Sequence, residues 1–130
     1  PEVQADRIGL AREAARKWGK VVALKGAHTV VARPDGWARV SPFANPALAS
    51  PGTGDVLAGV IAGLAAQGLS AFDAAVCGVY LHGAAGEQVR RELGDTGMLA
   101  SDLLPALPRT VKDIKTPTCR DQSDRSGQER

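Results

Sequence analysis

The spacing of apolar positions divides the chain into alternating helical and extended stretches. Ile8, Ala11, Ala15 and Trp18 recur at three- and four-residue intervals and predict a helix over 4–18, stopped by Gly19. Residues 21–24 are a short apolar run rich in β-branched side chains, which fits a strand covered on both faces. Residues 29–32 and 37–40 predict two further strands, with Pro34-Asp35-Gly36 as the turn between them. That hairpin is expected at a sheet edge or as a flap. Residues 41–51, with Pro42, Pro46 and Pro51, predict a loop.

The clearest helix is predicted over 55–67, with Val56, Leu57, Val60, Ile61 and Leu64 as apolar stripes. Gly59 and Gly63 each weaken it by about 1 kcal/mol relative to Ala, so another backbone is expected to lie close against that face. Ser70 with Asp73 resembles a capping box and opens a helix over about 71–92, with Phe72, Ala75, Val76, Val79 and Tyr80 toward the core. Gly94 and Gly97 end it. Ala100-Ser101-Asp102 starts a final short helix to Leu107, closed by Pro108. Residues 113–130 are expected as a disordered tail, since 115–130 contain no Val, Ile, Leu, Phe or Met. Helix, Gly, then buried strand is the rhythm of an α/β layer.

Composition changes this picture in three respects. With two Trp, one Tyr and two Phe, the core must be built from Ala, Val, Leu and Ile; Trp18 and Trp37 are expected as packing residues. The net charge of +2 sits entirely in residues 109–130, so the body is neutral and a nucleic-acid partner is not expected. No apolar run reaches membrane-spanning length, so no membrane partner is expected either. Cys77 reads as a small core residue and Cys119 lies in the polar tail. Neither has a metal-ligand spacing, so no metal site is assigned, and a reduced, cytoplasmic setting fits. The chain starts at Pro1 in mid-pattern, and an upstream extension is expected.

The chemistry centres on Ser50-Pro51-Gly52-Thr53-Gly54-Asp55. A Gly-x-Gly turn feeding a helix presents unpaired N–H groups and the positive end of the helix dipole, with no side chain between them and an approaching phosphate. A carboxylate beside an anion site repels the anion. Asp55 therefore reads either as a first-turn acid favoured by the dipole or as a general base that takes a proton from an attacking hydroxyl. Upstream, residues 21–24 end in Lys25-Gly26, and ligands of α/β sheets bind at the carboxyl ends of strands. His82, alone on an apolar helix, reads as a packed or capping residue.

Six elements in order resemble the ADP/ATP-dependent NAD(P)H-hydrate dehydratases of the ribokinase-like superfamily. They are Leu24-Lys25-Gly26-Ala27-His28-Thr29, Asn45-Pro46-Ala47-Leu48-Ala49, the Gly52-to-Gly59 segment, Leu64-Ala65-Ala66-Gln67-Gly68, His82-Gly83-Ala84-Ala85-Gly86 and Ala100-Ser101-Asp102-Leu103. The resemblance covers residues 1–112 and implies the C-terminal half of a three-layer α/β/α domain. It implies that ADP or ATP, with Mg2+ beside it, phosphorylates the hydroxyl of hydrated NADH or NADPH and that loss of phosphate restores the cofactor. By position, Lys25, Gly26, Ala27, His28, Thr29, Asn45, Gly52, Thr53 and Gly54 would hold nucleotide. Asp55 would face the hydrate and act as base. Homo-oligomers are compatible with this reading. Pro51 stands where family members commonly have Gly, which removes one N–H donor. A thiazole or pyrimidine kinase on the same fold, or a non-catalytic nucleotide-binding fragment, are the alternative readings.

Overall fold

The computed structural model describes residues 6–116. Helix α1 spans Arg7–Trp18; the Asp6 carboxylate accepts the Gly9 N–H at 2.8 Å, and Gly19, at φ 61°, turns the chain out of the helix. Strands β1 (Val22–Leu24), β2 (Val30–Ala32) and β3 (Ala38–Val40) then form an antiparallel sheet in that order. Val22 faces Ala32 across the first pair and Val30 faces Val40 across the second. A 3-10 turn at Pro46–Ala49 leads to α2 (Thr53–Ala66) and α3 (Ala71–Leu93). A second 3-10 turn, Ala100–Asp102, leads to α4 (Leu103–Lys115).

Strand alternation sets the layers. On β2, Val30 and Ala32 point one way and pack on Ala11 and Ala15 of α1, while Val31 points the other way and packs with Leu57 of α2 and Ala75 and Val79 of α3. Among the described residues the sheet is thus sandwiched between α1 and the α2–α3 pair. A third cluster, from Ala47, Ala85, Val89, Met98, Leu103 and Ala106, joins the first 3-10 turn and α4 to α3. No helix among the described residues is long and apolar enough to cross a membrane.

Several expectations need correction. Of the two expectations for the hairpin, the sheet edge holds and the flap does not: β3 is the outer strand among the described residues, and β2 is fully buried at the sheet's centre. Helix α4 does not end at Leu107 but runs through Pro108 to Lys115. Leu103, Ala106 and Thr110 fall on one buried face against α3, and that packing offsets the N–H that Pro108 lacks. Residues 113–115 therefore belong to the helix, and the rest of the predicted tail from residue 117, Cys119 included, lies outside the described residues.

Gly59 and Gly63 face open space, and the close helix approach is at Gly78, where a Cβ would stand 2.6 Å from Ile61 Cγ1. Trp18 (62% exposed), Trp37, Tyr80 (45% exposed) and Cys77 all lie at the surface. The buried stripe of α1 consists of small residues only, and Trp37 stacks between Arg33 and Arg39.

Candidate functional site

The loop before α2 is locked by its own buried threonine. Thr53 Oγ1 lies 2.7 Å from the Leu48 carbonyl oxygen and 2.8 Å from that of Ser50, donating into the turn. Gly52, at φ 83°, takes the left-handed conformation that the turn requires. Asp55 and Val56 N–H groups both bond back to the Gly52 carbonyl, at 3.0 and 3.2 Å, whereas the Gly54 N–H finds no acceptor among the described residues. Thr53 is therefore a brace, and Gly54 is the residue that offers a free donor at the positive end of α2.

Lys25 completes the electrostatics. Its ammonium reaches across from the end of β1 into the space that a Gly54 side chain would fill. Lys25 makes no ion pair among the described residues, and a cation against the positive end of a helix suits an anion held between the two. Asp55 is exposed and stands beside the same loop.

Two openings meet here. The inner one, about 270 Å³, has largely apolar walls that include Phe43, Leu48, Leu57 and Val79. The outer one, about 480 Å³, runs over 50–55. They share Lys25, Gly26, Leu48, Ala49, Thr53 and Gly54, so an apolar recess leads to the free N–H and ammonium and then to Asp55. Gly83 and Gly86 make the recess possible. A Cβ on either would collide with Phe43 or Leu48, so both glycines let the 41–49 loop lie directly on α3.

The remaining predicted residues divide between wall and scaffold. Gly26, Ala27, Thr29 and Asn45 line the inner recess. Thr29 Oγ1 donates to the Gly26 carbonyl at 3.0 Å and closes the 26–29 turn. Asn45 is 8% exposed; its Oδ1 accepts the Ala47 N–H at 2.9 Å and caps the 3-10 turn, while its Nδ2 is buried with no acceptor among the described residues. His28 does not line either opening. It takes φ 53°, its N–H donates to the Phe43 carbonyl at 2.9 Å, and its Nδ1 donates to the Ser41 carbonyl at 3.0 Å.

Two residues of the site carried no chemical role in the sequence. His82, 7% exposed, donates from Nε2 to the Thr53 carbonyl at 2.8 Å and walls the inner recess. Burial holds its imidazole below the usual value, and the Lys25 ammonium acts in the same direction, opposed by the Thr53 bond. Arg7 is the other, at the far side of the Lys25 strand end. The signal for His82 is its place at the head of the His82-Gly83-Ala84-Ala85-Gly86 element, and Arg7 has none. Asp55 is the one carboxylate lining the loop, and no three metal-ligating side chains converge among the described residues. These residues alone do not form a protein cage for Mg2+.

A sequence profile of the family described as NAD(P)H-hydrate dehydratase matches residues 1–109. The bifunctional NAD(P)H-hydrate repair enzyme Nnr of Moorella thermoacetica is 48% identical over 114 residues, which are 88% of this chain and 22% of that protein. The ADP-dependent (S)-NAD(P)H-hydrate dehydratase of Neisseria meningitidis serogroup B is 43% identical over 106 residues, covering 81% of this chain and 36% of that one. Among solved structures, the ADP/ATP-dependent NAD(P)H-hydrate dehydratase of Bacillus subtilis co-crystallized with ATP/Mg2+ superposes with a TM-score of 0.81 at 40% identity, over 85% of this chain and 40% of that one. The likeness gives the layered helix–sheet–helix arrangement its place as part of a ribokinase-like fold. The chain spans well under half the length of each of these proteins.

Proposed function

The chain belongs to the NAD(P)H-hydrate dehydratase family, and from that premise we propose that it carries the nucleotide site and the catalytic base of an ADP- or ATP-dependent dehydratase acting on hydrated NADH or NADPH. The observation that carries this reading is the meeting of the Lys25 ammonium and the free Gly54 N–H at the start of α2, with Asp55 beside them. The apolar recess accepts the base end of the nucleotide, and its phosphates lie against Gly54 and Lys25.

The nucleotide supplies the phosphoryl group. Lys25 and the Gly54 N–H hold its oxygens and offset the charge that gathers on them during transfer. Asp55 takes the proton from the ring hydroxyl as that oxygen attacks phosphorus. The transfer leaves AMP or ADP, and loss of phosphate from one ring carbon together with a proton from its neighbour then regenerates the double bond of the reduced nicotinamide. With one carboxylate at the loop, most of the ligands of a Mg2+ would come from nucleotide phosphates and water. The reading includes a cytoplasmic setting.

The test is to incubate a polypeptide containing this chain with NADH hydrate and ADP, and in parallel ATP, and to follow the return of reduced-nicotinamide absorbance. Nucleotide-dependent recovery supports the proposal. Stable accumulation of a phosphorylated product without elimination would move the assignment to a small-molecule kinase.

A further inference from the structure

Arg7 lies on the first turn of α1, on the opposite side of β1 from the anion-binding loop, and nothing in the mechanism above uses it. Its NH2 nitrogen donates to the Leu24 carbonyl at 2.9 Å and to the Lys25 carbonyl at 2.9 Å. These two carbonyls belong to the peptide units immediately before and after the Lys25 Cα. Each peptide unit is planar, so fixing both planes fixes φ and ψ at Lys25 and with them the direction of its Cα–Cβ bond. That direction carries the ammonium to Gly54. Gly26 makes the contact possible, because a Cβ there would stand 2.9 Å from Arg7 NH2, and its φ of 143° is one that side-chain-bearing residues rarely adopt. Among the described residues, Arg7 Nε is buried with no acceptor.

We propose that Arg7 is a positioning residue that aims Lys25 at the start of α2 and so sets nucleotide affinity without touching the nucleotide. The inference rests on the nucleotide reading of residues 25–29 and 52–54, and its experiment separates the two.

In the 15N-labelled chain, Arg7→Met is compared with Arg7→Lys, which retains a donor able to reach one carbonyl. The first readout needs no nucleotide. In Arg7→Met the amide signals of Lys25, Gly26 and Gly54 should move, and exchange of the His28 amide should quicken roughly tenfold, the scale of one charge-assisted hydrogen bond. Val31 and Val79 should keep their protection, and Arg7→Lys should recover part of the loss. Signal changes confined to α1, or a uniform loss of protection through the core, would overturn the positioning role. The second readout is titration with ADP. Affinity should fall about tenfold in Arg7→Met, with partial recovery in Arg7→Lys. Equal ADP affinity in wild type and Arg7→Met overturns the proposal. A folded wild type that takes up no ADP overturns the nucleotide reading instead, and the amide signals still decide whether Arg7 aims Lys25.

Discussion

His82 Nε2 bonds to the Thr53 carbonyl oxygen at 2.8 Å, tying the middle of α3 to the first turn of α2 across 29 residues of sequence. Since a carbonyl can only accept, Nε2 carries a proton, and whenever the ring is neutral it is the Nε2–H tautomer. The bond orients the turn whose next residue offers the free N–H.

This arrangement has a pH consequence. Burial and, secondarily, Lys25 hold the folded-state pKa of His82 below the usual imidazole value, so the unfolded chain binds a proton at higher pH than the folded one does. Stability then rises with pH wherever the unfolded state holds more protons. His82 costs nothing well above about pH 6.5, and its penalty grows as pH falls through that value toward the lower folded pKa. The melting temperature of the wild type should therefore drop between pH 7 and pH 5.5 by more than that of His82→Gln, which retains a donor for Thr53 but does not titrate. Parallel curves for the two proteins across that range would remove the assignment.

The glycines of the helices separate by what surrounds them. Gly63 is exposed in the interior of α2 with nothing within contact range, so Gly63→Ala should stabilise the chain by up to about 1 kcal/mol. Gly78 is buried against Ile61 Cγ1, so Gly78→Val should destabilise by about 1–3 kcal/mol through overpacking. Urea titrations of both variants against wild type test this pair, and equal midpoints would contradict the helix contact.

These two glycines also mark how far the sequence could be read. Periodicity located the helices and strands because each buries one face, and the Gly-x-Gly-Asp turn marked itself as a candidate phosphate site through residue type alone. The partner of an interior glycine is a different kind of fact. Gly59-x-x-x-Gly63 and Gly78 look alike in sequence, and only the tertiary arrangement shows that α3 approaches α2 at Gly78. Pro108 misled for a related reason: its local penalty is fixed, but the burial of Leu103, Ala106 and Thr110 that offsets it depends on α3. His82 is packed and bonds a backbone carbonyl, in line with its reading as a packed or capping residue, but its partner Thr53, like the Leu24 and Lys25 carbonyls that Arg7 holds, was hidden. A carbonyl carries no sequence signature.

Gly54 provides a direct test of the phosphate site. A side chain there would enter the space now filled by the Lys25 ammonium, the mobile end of a flexible chain, so Gly54→Val should displace Lys25 without unfolding α2. The β-branch would also cover the Gly54 N–H, which has no acceptor among the described residues. Calorimetry with ADP should show binding abolished while far-ultraviolet dichroism stays near wild type. Unaltered ADP affinity in a folded Gly54→Val protein would exclude this loop as the phosphate site.

Asp55 separates the catalytic role from the helix-start role. It is exposed in the first turn of α2, where any acid gains from the helix dipole, and its side chain makes no hydrogen bond among the described residues. If its function were the dipole alone, Asp55→Asn would cost at most about 1 kcal/mol of stability and leave turnover unaltered. As the base, Asp55 must accept a proton, which an amide of the same shape cannot do. Nucleotide affinity in Asp55→Asn should then hold or rise, since a negative charge beside the phosphates has gone, and turnover should fall by about 10²–10⁴-fold. Steady-state kinetics beside thermal melts, in an active polypeptide containing this chain, measure both quantities in one preparation. Near-normal turnover with a modestly lowered melting temperature would leave Asp55 as a helix-start residue and the reaction without its proposed base.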